Sequence, residues 1–368
     1  MTIQIRRVAI NTGGGDAPGL NAVIRAAVIS GRRRGWEMFG IRDGYNGLLE
    51  PEAYPGGGVI PLSRESVRGI THLGGTILGT TNRGNPLEYP VVKPDGSVEV
   101  VDRSDEIIQG LAAHGIDAVV AIGGDGSLAI ANALFEKGVN IVGVPKTIDN
   151  DLEETVVTFG YDSAISFAAE CIDRLHSTAE AHDRVMVVEV MGRYAGWIAV
   201  GAGVAATADA ILIPEILFDL DIVAEKVRDR QRKGREFSII VVAEGAVPKN
   251  GERSILGKAL GQAERLGGIG LQVAAALEEK TGKETRTVVL GHLLRGGGPT
   301  TRDRLLALRF GSAAIRSMAA GCFGCMVALD PPVVRSVPLS SAISRMKTVP
   351  HESDLMLTAR DLGISFGD

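Results

Sequence analysis

Twice in this chain a short apolar run breaks into Gly-Gly-Asp and is followed at once by a helical pattern. The first run is Val8-Ala9-Ile10-Asn11-Thr12. It ends in Gly13-Gly14-Gly15-Asp16-Ala17-Pro18-Gly19, after which Ala22, Val23, Ala26, Ala27 and Ile29 line one side of a helix. The second is Ala118-Val119-Val120-Ala121-Ile122. It ends in Gly123-Gly124-Asp125-Gly126-Ser127 and leads into Leu128, Ala131, Leu134 and Phe135. Short β-branched runs bounded by glycine are buried strands. Buried strands that alternate with helices form mainly parallel sheets, covered on both faces. The chain is thereby confined to the α/β class.

Each glycine turn also brings backbone N–H groups, and the positive end of a helix, up to where an anion can sit. Neither turn is a Walker A or a G-x-G-x-x-G loop, and a plain tight turn is the other reading of the first. Asp16 reads as a helix cap and Pro18 as a first-turn residue. A carboxylate inside a phosphate cradle repels its ligand unless it holds a Mg²⁺ that bridges the phosphates, and this gives Asp125 a role that a turn does not explain.

A third strand, Ile141-Val142-Gly143-Val144, runs directly into Pro145-Lys146-Thr147-Ile148-Asp149-Asn150-Asp151. Ligands of open α/β sheets bind where strands leave the sheet. If the segment is extended, Asp149 and Asp151 point the same way, one as a base and the other holding charge or metal. The alternative is an Asx-rich turn. Later strands also end in polar residues. Val185–Val190 leads to Met191-Gly192-Arg193, where an arginine beside glycines suits a transition-state clamp. Phe237–Ala243 ends at Glu244, and Thr287–Leu290 ends in Gly291-His292-Leu293-Leu294-Arg295. Arg83 follows the glycine turn at 74–75 and is a candidate phosphate grip, or else a solvated arginine. Residues 87–103 read as a polar hairpin, and 246–270 as surface loop before a helix over 271–281. Gly201–Ala206 matches a dinucleotide fingerprint but lies in a helical pattern, so the match is rejected.

Composition excludes several classes. The 368 residues carry 44 acidic against 39 basic side chains, a net charge of −5, and only 4% aromatics. That argues against nonspecific nucleic-acid binding and against a base-stacking surface. Three cysteines make no disulfide framework and suit a reducing compartment. Cys322 and Cys325 lack the second pair that a zinc site needs. No signal-peptide pattern and no apolar run long enough for a membrane span occur, so a cytoplasmic protein is expected.

In chain order, Gly14–Asn21, Gly74-Gly75-Thr76, Gly123–Ser127, Thr147–Asp151, Met191-Gly192-Arg193, Glu244 and His292–Gly297 together resemble the 6-phosphofructokinase family. The likeness runs from about residue 8 to 304. The resemblance implies two three-layer α/β/α domains with mainly parallel sheets and a site in the cleft between them. Residues 1–150 would bind the phosphoryl donor and 151–290 the sugar phosphate, with 291–368 packing back across both. It implies transfer of a phosphoryl group from Mg²⁺-bound ATP to the 1-hydroxyl of fructose 6-phosphate. Asp149 would be the base, Thr147 would lie beside it, and Arg193 would stabilise the transferring group. Gly15, Arg83, Gly124, Asp125, Gly126 and Ser127 would surround the donor, with Asp125 holding the metal. Met191, Gly192, Glu244, His292 and Arg295 would hold the sugar. Arg184 and Arg286 would grip the 6-phosphate in a neighbouring subunit, which implies a homodimer or homotetramer.

The sequence departs from the commonest bacterial pattern at Lys146, where users of ATP usually have Gly and users of pyrophosphate have Lys. It also departs at the turn 80–83, which has one extra residue, and at Leu294. Pyrophosphate users typically have Asp where this chain has Gly126, and Gly126 leaves room for a nucleotide's α-phosphate. The expectation is therefore ATP, with a pyrophosphate-dependent enzyme as the alternative. A non-catalytic phosphometabolite sensor is the lesser one, disfavoured because Asp149, Asp125 and Arg193 are all present.

Overall fold

The two Gly-Gly-Asp turns become neighbours because the strands before them pair in parallel. In the computed structural model, which describes residues 4–257 and 265–368, Arg7–Thr12 lies beside Ala118–Gly123 with Ile10 opposite Val120. The amide of Gly13 then donates to the carbonyl of Ile122 at 3.0 Å. The eight-stranded sheet runs Val333–Pro338, Cys325–Asp330, Ile141–Thr147, Ala118–Gly123, Arg7–Thr12, Glu37–Ile41, Val59–Leu62, and the short strand Phe159–Gly160 pairs with Ile141–Thr147 off this path. The five middle strands are parallel and the outer strand on each side is antiparallel. From Arg7–Thr12 the chain first adds strands on one side and then, with Ala118–Gly123, on the other. The crevice between those two strands is thus the topological switch point, where ligands of open sheets bind.

The second sheet has the order Ala210–Leu212, Ser238–Ala243, Val185–Val190, Thr285–Val289, and all its pairs are parallel. Its order reverses between Val185–Val190 and Thr285–Val289, where the amide of Leu290 donates to the carbonyl of Glu189 at 2.9 Å. Met191–Arg193 and His292–Arg295 therefore leave the sheet at its own switch point.

Alternation along the strands places residues of each sheet in two separate cores. Val8 and Ile10 join one apolar cluster while Ala9 joins another, and Val120 and Ile122 are separated from Val119 and Ala121 in the same way. Met186, Val188 and Val190 face one side of the second sheet, and Val185 and Val187 face the other. Strands buried on both faces explain the unbroken apolar runs and the three-layer lobes. The helix Thr301–Ala319 lies against Leu20–Arg32 of the first lobe. Contact is so close there that a Cβ on Gly311 would stand 2.4 Å from the carbonyl oxygen of Val23.

Several local expectations need correction. Asp16 is not the helix cap. The helix Leu20–Arg32 is entered through Gly19 at φ 115, with no side-chain cap bond. Glycine is required there, because a Cβ would also meet the Phe159 ring at 2.7 Å. The strand at 141 runs on to Thr147, and the segment beyond it is not extended, since Asn150 turns in the left-handed region at φ 51. Arg286 lies within its strand rather than before it. The stretch 246–270 holds an antiparallel pair, Ile255–Gly257 with Arg265–Leu266, and the next helix begins at Ile269; the middle of the stretch, 258–264, is outside the described residues. Residues 87–103 do form a hairpin, with Tyr89–Val92 against Val98–Val101. Gly201–Ala206 falls on the helix Trp197–Ala205 and its C-terminal end, as expected of a false fingerprint.

Candidate active site

The switch points of the two sheets face each other, and two cations line the first glycine loop, one of them reaching across from the second lobe. The Lys146 ammonium, only 3% exposed, donates to the carbonyl of Gly15. The Arg295 guanidinium crosses from the second lobe and donates to the carbonyl of Asp16 at 3.1 Å. A Cβ on Gly15 would stand 2.7 Å from that guanidinium, so a side chain there would displace Arg295 from its present seat. Gly14 is held from the other side, its amide donating to Thr81 O at 2.9 Å and its carbonyl accepting from Thr80 Oγ1 at 2.6 Å.

The second Gly-Gly-Asp turn supplies the floor. The helix Asp125–Glu136 starts at the turn, with Gly124 as its cap residue. Ser127 packs into the angle between the turns, so that a Cβ on Gly13 would stand 2.7 Å from its Oγ. Gly126 is different. A Cβ built there meets nothing within 4 Å, so the space over this helix N-terminus is open. Asp125 and Gly126 are both exposed to it.

Asp149 follows the strand Ile141–Thr147 and the buried Ile148. Its amide donates to Thr147 Oγ1 at 3.0 Å. Its Oδ1 is buried and has no hydrogen-bond partner, and the same holds for Asp151 Oδ1 and Arg193 Nε. Buried polar atoms left unpaired in a native fold call for a reason, and a substrate that completes them is the direct one. Burial raises the pKa of Asp149, and Glu244 adds to the rise. Arg295, Arg193 and Lys146, in that order, oppose it. Burial likewise lifts Asp151 to about 7, with Asp149 and Asp125 adding like charge. The Lys146 ammonium is pushed down to about 8 by burial and by Arg295, while Asp16, Asp151 and Asp149 pull the other way. Glu244 is raised by burial and lowered by Arg193. Carboxylates at 149, 151 and 244 and cations at 146, 193 and 295 thus form one electrostatic unit spanning both lobes.

Arg193 rides on the loop after Val185–Val190, where Gly192 takes φ 139 and the amide of Gly245 donates to its carbonyl at 3.1 Å. Met191 is buried beside it, and the Glu244 amide donates to Val190 O at 2.9 Å. His292 lies on the 3₁₀ segment Gly291–Arg295 and is exposed. Arg83 is exposed as well, its backbone tied to Thr81 Oγ1 at 3.0 Å, and it is not part of the buried cluster. Arg184 and Arg286 lie at the opposite end of the second sheet, where both pair with Glu284. Sequence reasoning missed one contributor: Lys347 binds the loop around Asp149 from the C-terminal part of the chain. Arg295, a candidate for the sugar, bonds to the first glycine loop.

Among the described residues no group of three or more His, Cys, Asp or Glu could hold a metal alone. Mg²⁺ fits nonetheless. It is commonly held by one or two carboxylates together with substrate phosphates, and the exposed Asp125 and the unpartnered Asp151 Oδ1 are donors of that kind.

A model of the phosphofructokinase family matches residues 7–318. A Chloroflexus aurantiacus protein named ATP-dependent 6-phosphofructokinase is 48% identical over 370 residues, covering 100% of this chain and 99% of that one. An Amycolatopsis mediterranei protein named pyrophosphate–fructose 6-phosphate 1-phosphotransferase is 50% identical over 351 residues, covering 94% of this chain and 97% of that one. Among solved structures, phosphofructokinase from Saccharomyces cerevisiae superposes with a TM-score of 0.76 at 31% identity over 92% of this chain, which spans 45% of the yeast chain. A pyrophosphate-dependent phosphofructokinase from Marinobacter aquaeolei shares the fold, with a TM-score of 0.79 at 21% identity over 98% of this chain and 91% of that one.

The raised pKa of Asp151 makes a prediction for the ligand-free protein. The fold disfavours its ionised form. Its contribution to stability is therefore complete below the ordinary carboxylate pKa and is lost as pH rises through about 7. Melting temperatures measured from about pH 5 to about pH 8 should fall more steeply for the wild type than for Asp151→Asn. Equal slopes would contradict this assignment.

Proposed function

The chain belongs to the phosphofructokinase family, and on that footing we propose that it phosphorylates fructose 6-phosphate at the 1-hydroxyl with ATP, a step of glycolysis. The observation that carries this reading is the meeting of the two switch-point crevices around Asp149. It puts a desolvated carboxylate, unpaired at Oδ1, between a glycine-lined anion site and the arginine at 193.

Asp149 takes the proton of the sugar's 1-hydroxyl. The resulting oxygen attacks the terminal phosphorus of ATP, and ADP leaves. Base assistance of this kind contributes about 10²–10⁴-fold. Raising the pKa of the carboxylate by burial strengthens it as a base, and the three surrounding cations favour its ionised form. Arg193 neutralises charge that spreads over the phosphoryl oxygens in transit, which is where an arginine contributes most to such reactions. Gly15, Gly124 and Gly126 admit the donor close to the main chain, with Ser127 between the turns and Arg83 at their outer rim. Lys146 holds the first turn against its negative charge. Met191, Gly192, Glu244, His292 and Arg295 line the sugar side. Mg²⁺, held by Asp125 with Asp151 near, would screen the donor phosphates and polarise the group being transferred.

Residues 1–150 are assigned to the donor, 151–290 to the sugar phosphate and 291–368 to a segment that serves both. Arg184 and Arg286 lie too far round the second sheet for their own cleft, and they suit the 6-phosphate of a sugar bound by a neighbouring subunit in a homodimer or homotetramer. No helix among the described residues is long and apolar enough to cross a membrane. A cytoplasmic location accords with that and with three unpaired cysteines.

The donor is the one point with a second reading. Lys146, and the Amycolatopsis relative named for pyrophosphate, favour pyrophosphate. The open space at Gly126 favours ATP, because an acidic side chain there would fill the region of the α-phosphate and repel it. Steric exclusion outweighs a charge that helps either donor, so ATP is preferred.

The direct test is phosphorylation of fructose 6-phosphate with each donor. The expected result is turnover with ATP and little with pyrophosphate, and turnover with pyrophosphate alone would overturn the assignment. Gly126→Asp, whose Cβ meets no atom within 4 Å, should reduce use of ATP more than any use of pyrophosphate. Asp149→Asn should lower kcat by about 10²–10⁴-fold with sugar binding retained. Unchanged turnover would place the base elsewhere.

A further inference from the structure

Between the first lobe and the final helix Asp354–Asp361 the chain passes as a strap over the back of the site. Met346 forms an antiparallel bridge with Leu152, and the amide of Lys347 donates to the carbonyl of Asp151 at 2.9 Å. The Lys347 ammonium then donates to Asn150 Oδ1 at 3.2 Å, Thr155 O at 2.9 Å and Val156 O at 3.0 Å. Asn150 is the left-handed residue between the two carboxylates, and its Oδ1 also accepts from the Thr158 amide at 3.1 Å. One side chain thus closes the whole loop 150–156 onto itself.

The same residue reaches the other lobe. Its carbonyl accepts from Trp197 Nε1 at 3.0 Å, and its ammonium lies 5.5 Å from the centre of the Trp197 ring. Trp197 opens the helix that follows the Arg193 loop. Two residues on, the amide of Val349 donates to Glu215 Oε1 at 2.8 Å. The Glu215 carboxylate also accepts from the Gly196 amide, at 3.0 Å to Oε1 and 3.1 Å to Oε2. The strap therefore fastens the base loop and the clamp loop to a single backbone segment.

We infer that Lys347 is a positioning residue for phosphoryl transfer, holding the Asp149 loop of the first lobe and the Arg193 loop of the second at their working separation through its ammonium and its carbonyl. This rests on the function proposed above. It goes further in assigning part of the catalytic geometry to a residue that touches neither substrate nor reacting atoms. The physical basis is the steep dependence of such reactions on placement, since an error of about 1 Å can cost about 10²-fold in rate. The ammonium is the appropriate tool. It carries three donors, three acceptors converge on it, and two of them are main-chain carbonyls of a loop with no regular secondary structure. Burial draws its pKa down to about 8, against the pull of Glu153 and Asp151, consistent with a cation chosen for geometry rather than solubility.

The test compares wild type, Lys347→Met, Lys347→Arg and Trp197→Phe by steady-state kinetics with both substrates varied, together with circular dichroism and thermal melts. Wild-type turnover checks the proposed function by itself, and the ratios among variants check the positioning role. Lys347→Met keeps length and apolar bulk but loses the donors. Its kcat should fall about 10- to 100-fold, with both KM values within about threefold. Lys347→Arg, which restores charge and donors, should recover much of the loss. Trp197→Phe keeps the ring but not the indole donor and should lower kcat in the same direction by a smaller factor. Should Lys347→Met fail to fold, the other two variants still decide. Three results would overturn the inference: kcat per folded molecule unchanged in Lys347→Met, a loss confined to KM, or a Trp197→Phe kcat equal to that of the wild type.

Discussion

The proposed chemistry depends on one buried carboxylate whose desolvation is opposed by nearby cations. Asp149 sits where burial alone would keep it protonated, and a protonated acid cannot take a proton. Arg295, Arg193 and Lys146, supplied by different parts of the chain, oppose that effect of burial. Two of these cations bond to main-chain carbonyls of the first glycine loop rather than to a carboxylate. That arrangement holds the cations in place yet leaves their charge to be felt by Asp149 and by an incoming phosphate. A direct ion pair with Asp149 would have lowered its basicity and blocked the site. The lobes approach closely here, and a side chain at Gly15 would push the Arg295 guanidinium from its seat.

Much of this was legible in the sequence, for identifiable reasons. Strands buried on both faces appear as unbroken β-branched runs, and the turns after them carry glycine because ligands and neighbouring backbone come close. Hence the sequence alone marks Gly13–Asp16, Gly123–Ser127, Lys146–Asp151 and Met191–Arg193 as strand ends. What failed was local or long-range. Asp16 was taken for a cap because its residue type fits, but the chain enters the helix through a left-handed Gly19 packed on Phe159, a contact 140 residues away in sequence. Asp149 and Asp151 were placed on one face by strand alternation. They do lie together, but through a turn at Asn150. Lys347 gave no signal, since a lone lysine in a tail is ordinarily solvated and nothing nearby in sequence announces three acceptors.

The donor question shows two residues pulling in opposite directions. Lys146 neutralises charge at the first glycine turn whatever the donor is. Gly126, on the proposed reading, acts by vacancy, and vacancy discriminates only between donors of different size. A charge that serves both ligands cannot select between them, whereas a volume that only one needs can. Relatives bearing either name lie at similar identity, which fits a scaffold in which few positions separate the two chemistries.

The central claim is that the proposed base, Asp149, is a carboxylate whose pKa burial raises and nearby cations lower, Arg295 most of all. The pH dependence of kcat/KM for the sugar phosphate tests it most directly, because that parameter reports ionisations of the free enzyme. The acid limb should lie above the ordinary carboxylate range and should move higher still in Arg295→Gln. An acid limb within the ordinary range that Arg295→Gln leaves in place would contradict the account.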